Sequence, residues 1–126
     1  MYKNFQEFSN QDALTFGCKV IKIVEEKKLK PVRIRVVKDH DIVFQYLMDG
    51  KKSDEWLNKK QHMVEETHHA SLHVFEHHED YPTIDVACGG GYPLFINHEY
   101  RGCFIVSGLD HIDDHKLILE ALGEAV

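Results

Sequence analysis

The densest chemical signal in this chain is histidine: ten in all, five of them within His68-His69-Ala-Ser-Leu-His73-Val-Phe-Glu-His77-His78. On a helix, His69, His73 and His77 fall within about 80° of arc, with Leu72, Val74 and Phe75 centred on the opposite side. The three imidazoles then face outwards, and an i, i+4 pair such as His73/His77 has the spacing to chelate one metal ion. All three cannot share an ion, because eight residues at about 1.5 Å rise put His69 and His77 about 12 Å apart. A zinc site needs a further ligand that the sequence does not identify, and no His-Glu-x-x-His arrangement occurs. The plainer reading is a polar helix face that uses histidine.

Gly89-Gly90-Gly91-Tyr92-Pro93 is more pointed. Three glycines permit positive φ and let a backbone or a ligand approach where a Cβ would stand. The run does not read as a phosphate loop, because the next element is extended and no Gly-Lys-Ser/Thr follows. A tight turn into an edge strand accounts for it as well as a binding loop does. Asp110-His111-Ile112-Asp113-Asp114-His115 has the residue types of a catalytic or metal cluster. Carboxylates at a helix start are also what the positive end of the helix dipole favours, and capping is the preferred reading. Trp56 reads as an aromatic packed in the core or at an interface. The cysteines, Cys18, Cys88 and Cys103, are odd in number and far apart, with no Cys-x-x-Cys pair. Cys18 and Cys103 read as small buried apolar residues without an activated thiolate. No Gly-x-Ser-x-Gly elbow supports hydrolase chemistry.

The elements that must hold these residues follow from periodicity. Ser9 and Asp12 start a helix whose apolar residues Ala13, Leu14, Gly17, Cys18, Val20, Ile21 and Val24 recur at helical spacing until Pro31 stops it. Val32-Arg-Ile-Arg-Val36 alternates as a half-buried strand does. Asp39-His40-Asp41 turns the chain, and Ile42–Leu47 returns it as a hairpin. Ser53 caps a second helix carrying Trp56, Lys60, Met63, Val64 and Thr67. A short third helix is expected over Ser71–Glu79, closed by Pro82. Strands are expected at Thr83–Cys88, Tyr92–Asn97 and Cys103–Leu109, and a last helix at Asp114–Leu122. The order α-β-β-α-α-β-β-β-α brings strands in as hairpins, so the sheet should be mainly antiparallel.

A chain of 126 residues is the size of one domain, here residues 1–126, and supports a core without disulfide or metal staples. The 21 acidic residues outweigh 15 basic ones, giving a net charge of −6 that repels phosphates. Nucleic acid and anionic membranes are therefore unexpected partners. No apolar run is long enough for a membrane span, and Met1–Asn10 lacks the apolar core of a signal peptide. With unpaired thiols added, a cytoplasmic location is expected.

Several of these pieces occur together in a known family. Ser53-Asp-Glu-Trp56-Leu-Asn-Lys59-Lys60, Gly89-Gly90-Gly91-Tyr92-Pro93-Leu94, Val106-Ser107-Gly108-Leu109, Asp113-Asp114-His115 and Glu120-Ala121-Leu122 resemble one branch of the haem-degrading-domain (GlcG/HbpS-like) superfamily, a branch labelled only as an uncharacterised protein family. The resemblance runs from about Asp12 to Leu122. The branch usually has Asn at Ser53, Arg at Lys59 and Phe at Tyr92. The resemblance implies a profilin-like three-layer α-β-α fold of α+β type with a five-stranded antiparallel sheet. It further implies homo-oligomers and, in some relatives, binding of haem or a corrinoid, with no histidine nominated as axial ligand by descent.

Three functions follow in order of support. The first is a small-ligand binder, with haem or another tetrapyrrole as the leading class. Its site lies near Gly89, Gly90, Gly91 and Pro93, with Trp56, Lys60 and His115 contributing. The second is a non-catalytic homo-oligomeric interaction module, with Trp56 as an interface anchor. The third is an enzyme, either redox or metal-assisted, and it has least support because no nucleophile, base and orienting group can be placed together.

Overall fold

In the computed structural model, residues 2–50, 53–85 and 88–126 are described. The chain runs β1 (Asn4–Phe5), α1 (Asn10–Glu26), β2 (Arg33–Lys38), β3 (Asp41–Leu47), α2 (Glu55–Thr67), α3 (Ser71–Glu76), a 3₁₀ turn (His78–Asp80), β4 (Gly91–Ile96), β5 (Glu99–Ser107) and α4 (His111–Leu122). Ser9 starts α1 with a reciprocal cap. The Asp12 N–H donates to the Ser9 hydroxyl, and the Ser9 N–H donates to the Asp12 carboxylate.

The strands form one sheet in the order β1-β4-β5-β2-β3. The expected hairpin is present, Arg33 pairing Leu47 and Lys38 pairing Asp41, with a bulge at Val36/Val37. β5 lies antiparallel between β2 and β4, so that Arg33 sits opposite Ser107. The fifth strand is not where the sequence placed it. Thr83–Asp85 and Cys88 are not in a strand, and Val86 and Ala87 lie outside the described residues. The place is taken by β1, which runs parallel to β4. The sheet is thus mixed, with every other pairing antiparallel.

Helices cover both faces, which makes the three layers. On one side Phe16, Val20 and Ile118 from α1 and α4 pack on Val32, Ile34, Val36, Leu94, Phe104 and Val106. On the other, Leu57 and Val64 of α2 pack on Val37, Cys103 and Ile105. Burying side chains of this size stabilises the fold by about 1.5–3 kcal/mol each. The α2 face also encloses polar residues. Arg33 and Arg35 are only 8% and 5% exposed, so β2 is covered on both sides rather than half-buried. Arg35 donates to Gln45 at 2.6 Å and to Asn58 and Gln61 at 2.7 and 2.8 Å, and Arg33 pairs with Asp54. Charged groups persist inside a protein only when paired in this way.

Other boundaries move by a turn. α3 ends at Glu76 instead of Glu79, and α4 begins at His111 instead of Asp114. Cys18 is exposed, against the expectation of burial, whereas Cys103 is buried. No helix among the described residues is long and apolar enough to cross a membrane.

Candidate functional site

Where β2 begins and β5 ends, the first turns of α2 and α4 meet, and a cleft of about 520 Å³ opens between them. The antiparallel register brings Arg33 and Ser107 to this end of the sheet. Trp56 and Lys60 come from α2, His111 and Asp114 from α4, Phe75 from α3 and Leu109 from the β5–α4 connection. The walls are apolar at Trp56, Phe75 and Leu109, and polar where Arg33, Lys60 and His111 stand.

Lys60 and Asp114 form an ion pair of 3.0 Å, with side chains only 3% and 2% exposed. Lys60 Nζ also donates to the Val106 carbonyl at 2.9 Å, and the Asp114 carboxylate accepts the Leu109 N–H at 2.9 Å. This pair ties α2, β5 and α4 together, so Asp114 does more than the capping expected of it. Burial pushes the Asp114 carboxyl up, and the neighbouring Lys60 ammonium offsets only part of that rise.

Gly90 packs against this pair, with Gly89 and Gly91 on either side of it against the His111 carbonyl and Val64. Gly90 adopts φ +122°, and a Cβ there would stand 2.4 Å from the Val106 carbonyl oxygen and 2.6 Å from Lys60 Nζ. Only glycine fits both constraints. The Gly91 N–H donates to Ser71 Oγ at 2.9 Å, and the Gly89 N–H donates to His111 Nδ1 at 2.9 Å. A nitrogen that accepts a proton donor carries no proton itself, so the neutral His111 ring holds its hydrogen on Nε2.

Of the residues the sequence nominated, Trp56 and Lys60 line the cleft, whereas Gly89, Gly90 and Gly91 do not, although Gly90 packs against the Lys60–Asp114 pair. Pro93 lies apart, paired with Cys103 inside the sheet. His115 also lies apart. It packs 6.3 Å from the Tyr92 ring, and its buried Nδ1 has no hydrogen-bond partner among the described residues. Trp56 is 41% exposed at the cleft mouth with Lys59 Nζ 4.7 Å from its ring, and is not a core residue.

Sequence reasoning passed over Arg33, Phe75, Cys88, Ser107, Leu109 and His111 as lining. The alternation around Arg33 marked a strand but not which helix would cover it. His111 stood in view within the Asp110–His115 cluster, where the capping reading absorbed it. Burial pushes the Cys88 thiol up, away from the thiolate.

A family profile described as haem degrading protein HbpS-like matches residues 8–123. A UPF0303 protein from Yersinia pestis (strain Pestoides F) is 30% identical over 96% of this chain and 78% of its own length. Among solved structures, the Ybr137w protein superposes with a TM-score of 0.81 at 21% identity, over 94% of this chain and 78% of that one. The PduOC:haem complex does so with a TM-score of 0.74 at 18% identity, over 92% and 93%. At these identities the two structures speak for the fold alone, and they bear out the three-layer architecture. The profile spans nearly all of the sequence, as the resemblance implied, and the chain belongs to the HbpS-like family.

Proposed function

We propose that this protein binds a small, flat organic acid, a tetrapyrrole first among the class, in the cleft between α2, β5 and α4. The observation that carries this reading is the combination at one site of apolar walls at Trp56, Phe75 and Leu109 with a placed hydrogen-bond donor, the Nε2–H of His111. Pockets for small ligands pair apolar surface with a few placed polar groups in this manner. The family description and the haem held by PduOC support a tetrapyrrole. The His111 N–H suits an acid group, and the apolar walls suit the ring faces. The site does not suit ligation of haem iron, which takes an imidazole nitrogen, a thiolate, a thioether or a phenol oxygen, and among the described residues the lining holds no Met or Tyr. His111 offers an N–H at Nε2 because Gly89 holds its Nδ1, Cys88 is kept as a thiol by burial, and Lys60 is committed to Asp114.

Titration with haemin and with metal-free protoporphyrin IX, followed in the Soret band, tests this. Both should bind one to one with similar affinity, because iron adds nothing. Trp56→Ala should weaken both on the order of tenfold or more, as loss of a tryptophan anchor does. Absence of stoichiometric binding, or binding untouched by Trp56→Ala, overturns the site, and binding of haemin alone overturns the unligated mode.

A second reading, a homo-oligomeric interaction module, is favoured by β3. This seven-residue strand is an outer edge of the sheet, and it leaves Ile42 and Tyr46 53% and 48% exposed. Unpaired edges of this length invite another strand. Light scattering should then find an oligomer that Ile42→Lys with Tyr46→Lys converts to monomer, and a monomeric wild type overturns the reading.

A further inference from the structure

We propose that the histidine row running along α3 and past its end is a transition-metal site, in which His73 of α3 and His77, the residue that caps it, chelate one exchangeable divalent ion of the Zn²⁺, Ni²⁺ or Cu²⁺ class. The rings of His69, His73 and His77 form a stacked ladder. Centroids lie 4.7 Å apart for His69 and His73 and 4.3 Å for His73 and His77, with interplanar angles of 25° and 28°. Two nitrogens that share an ion at ordinary Zn–N lengths stand roughly 3 Å apart with both ring planes passing through the ion, so His73 and His77 turn out of the stack to chelate, as their i, i+4 spacing allows.

The direction of one hydrogen bond selects the pair. His77 Nδ1 lies 3.0 Å from the His73 carbonyl oxygen, which also accepts the His77 backbone N–H. A carbonyl only accepts, so Nδ1 carries the ring proton and the lone pair is on Nε2. That is the arrangement found behind metal-bound imidazoles, whose second nitrogen donates to a backbone carbonyl or a carboxylate. His111 in the cleft is held in the opposite tautomer, and so is unsuited to the same task. His69 is less free, because its Nδ1 meets the Tyr2 hydroxyl at 3.2 Å. Among the described residues no three His, Cys, Asp or Glu side chains converge on one point. The ion therefore takes two protein nitrogens and completes its shell with water, which makes the site exchangeable. Imidazole ligands favour these borderline metals over Mg²⁺ or Ca²⁺.

Calorimetric titration of the untagged protein with Zn²⁺ and Ni²⁺ tests the assignment. Wild type should bind one ion, and His73→Ala and His77→Ala should each weaken binding by at least roughly tenfold, the loss that follows removal of even an outer partner. His78→Ala, outside the ladder, should leave affinity unchanged. Imidazole nitrogen NMR on the wild type supplies a measurement that needs no variant: His77 should carry its proton on Nδ1, and Zn²⁺ should shift Nε2 of His73 and His77. Binding retained by the His73→Ala/His77→Ala double variant overturns the proposal. So does a Zn²⁺ titration that leaves those two nitrogens unmoved.

Discussion

Lys60 carries its charge to a place that water hardly reaches, and Asp114 meets it there. Such a pair contributes little against a well-packed apolar alternative, yet removing one partner strands the other. Lys60→Met should therefore cost about 3–5 kcal/mol in a urea titration at neutral pH, and adding Asp114→Leu should restore much of it. The loss should shrink in acid, because burial already pushes the Asp114 carboxyl towards its neutral form. Little of this was legible beforehand. The sequence nominates Lys60 for a ligand rather than for an ion pair, and its partner, 54 residues away, reads as a first-turn carboxylate serving the helix dipole. Gly90 was more legible. A run of three glycines announces that a Cβ is unwelcome, though not that a carbonyl and an ammonium are what it would strike.

At the scale of elements, what the sequence made plain had length and period. α1, the β2–β3 hairpin and α2 each carry enough residues for alternation or a helical stripe to emerge. β1 has two residues, too few for any pattern, and it is recognisable only by its pairing with Phe95 and Ile96. Thr83-Ile-Asp-Val has β-prone residue types, but residue type measures fitness for a half-buried surface rather than the presence of a neighbour to pair with. Arg33 and Arg35 misled in the same manner. Alternation located the strand correctly, whereas the polar face was covered because Gln45, Asn58 and Gln61 supply the acceptors that burial demands. The cleft was half-read for the same reason. Trp56 and Lys60 belong to a helix the period revealed, while Phe75 and Leu109 reach the cleft only through tertiary packing.

For the whole molecule, two histidines make stability fall in acid. Burial pushes the His115 imidazole down, with Glu76 opposing, and His69 is pushed down by burial and by the neighbouring His73 and His68. A histidine depressed in the folded state is protonated more readily in the unfolded chain. Stability is then full above the unfolded value near 6.5 and is lost as pH falls through the lower folded value. Urea midpoints should decline from about pH 7 towards about pH 5, and His115→Phe should flatten the decline. An unchanged slope in that variant would assign the acid sensitivity elsewhere.

The strand order also bears on how the chain is made. β2 closes its β3 side within the hairpin, but its other side waits for β5. About 70 residues of translation separate the two, so at roughly 5–20 residues per second the nascent chain leaves that strand edge unpaired for about 4–14 s. A ribosome-bound intermediate of this protein is therefore a natural client for holdase chaperones, and slowed elongation between the hairpin and β5 should lower its soluble yield.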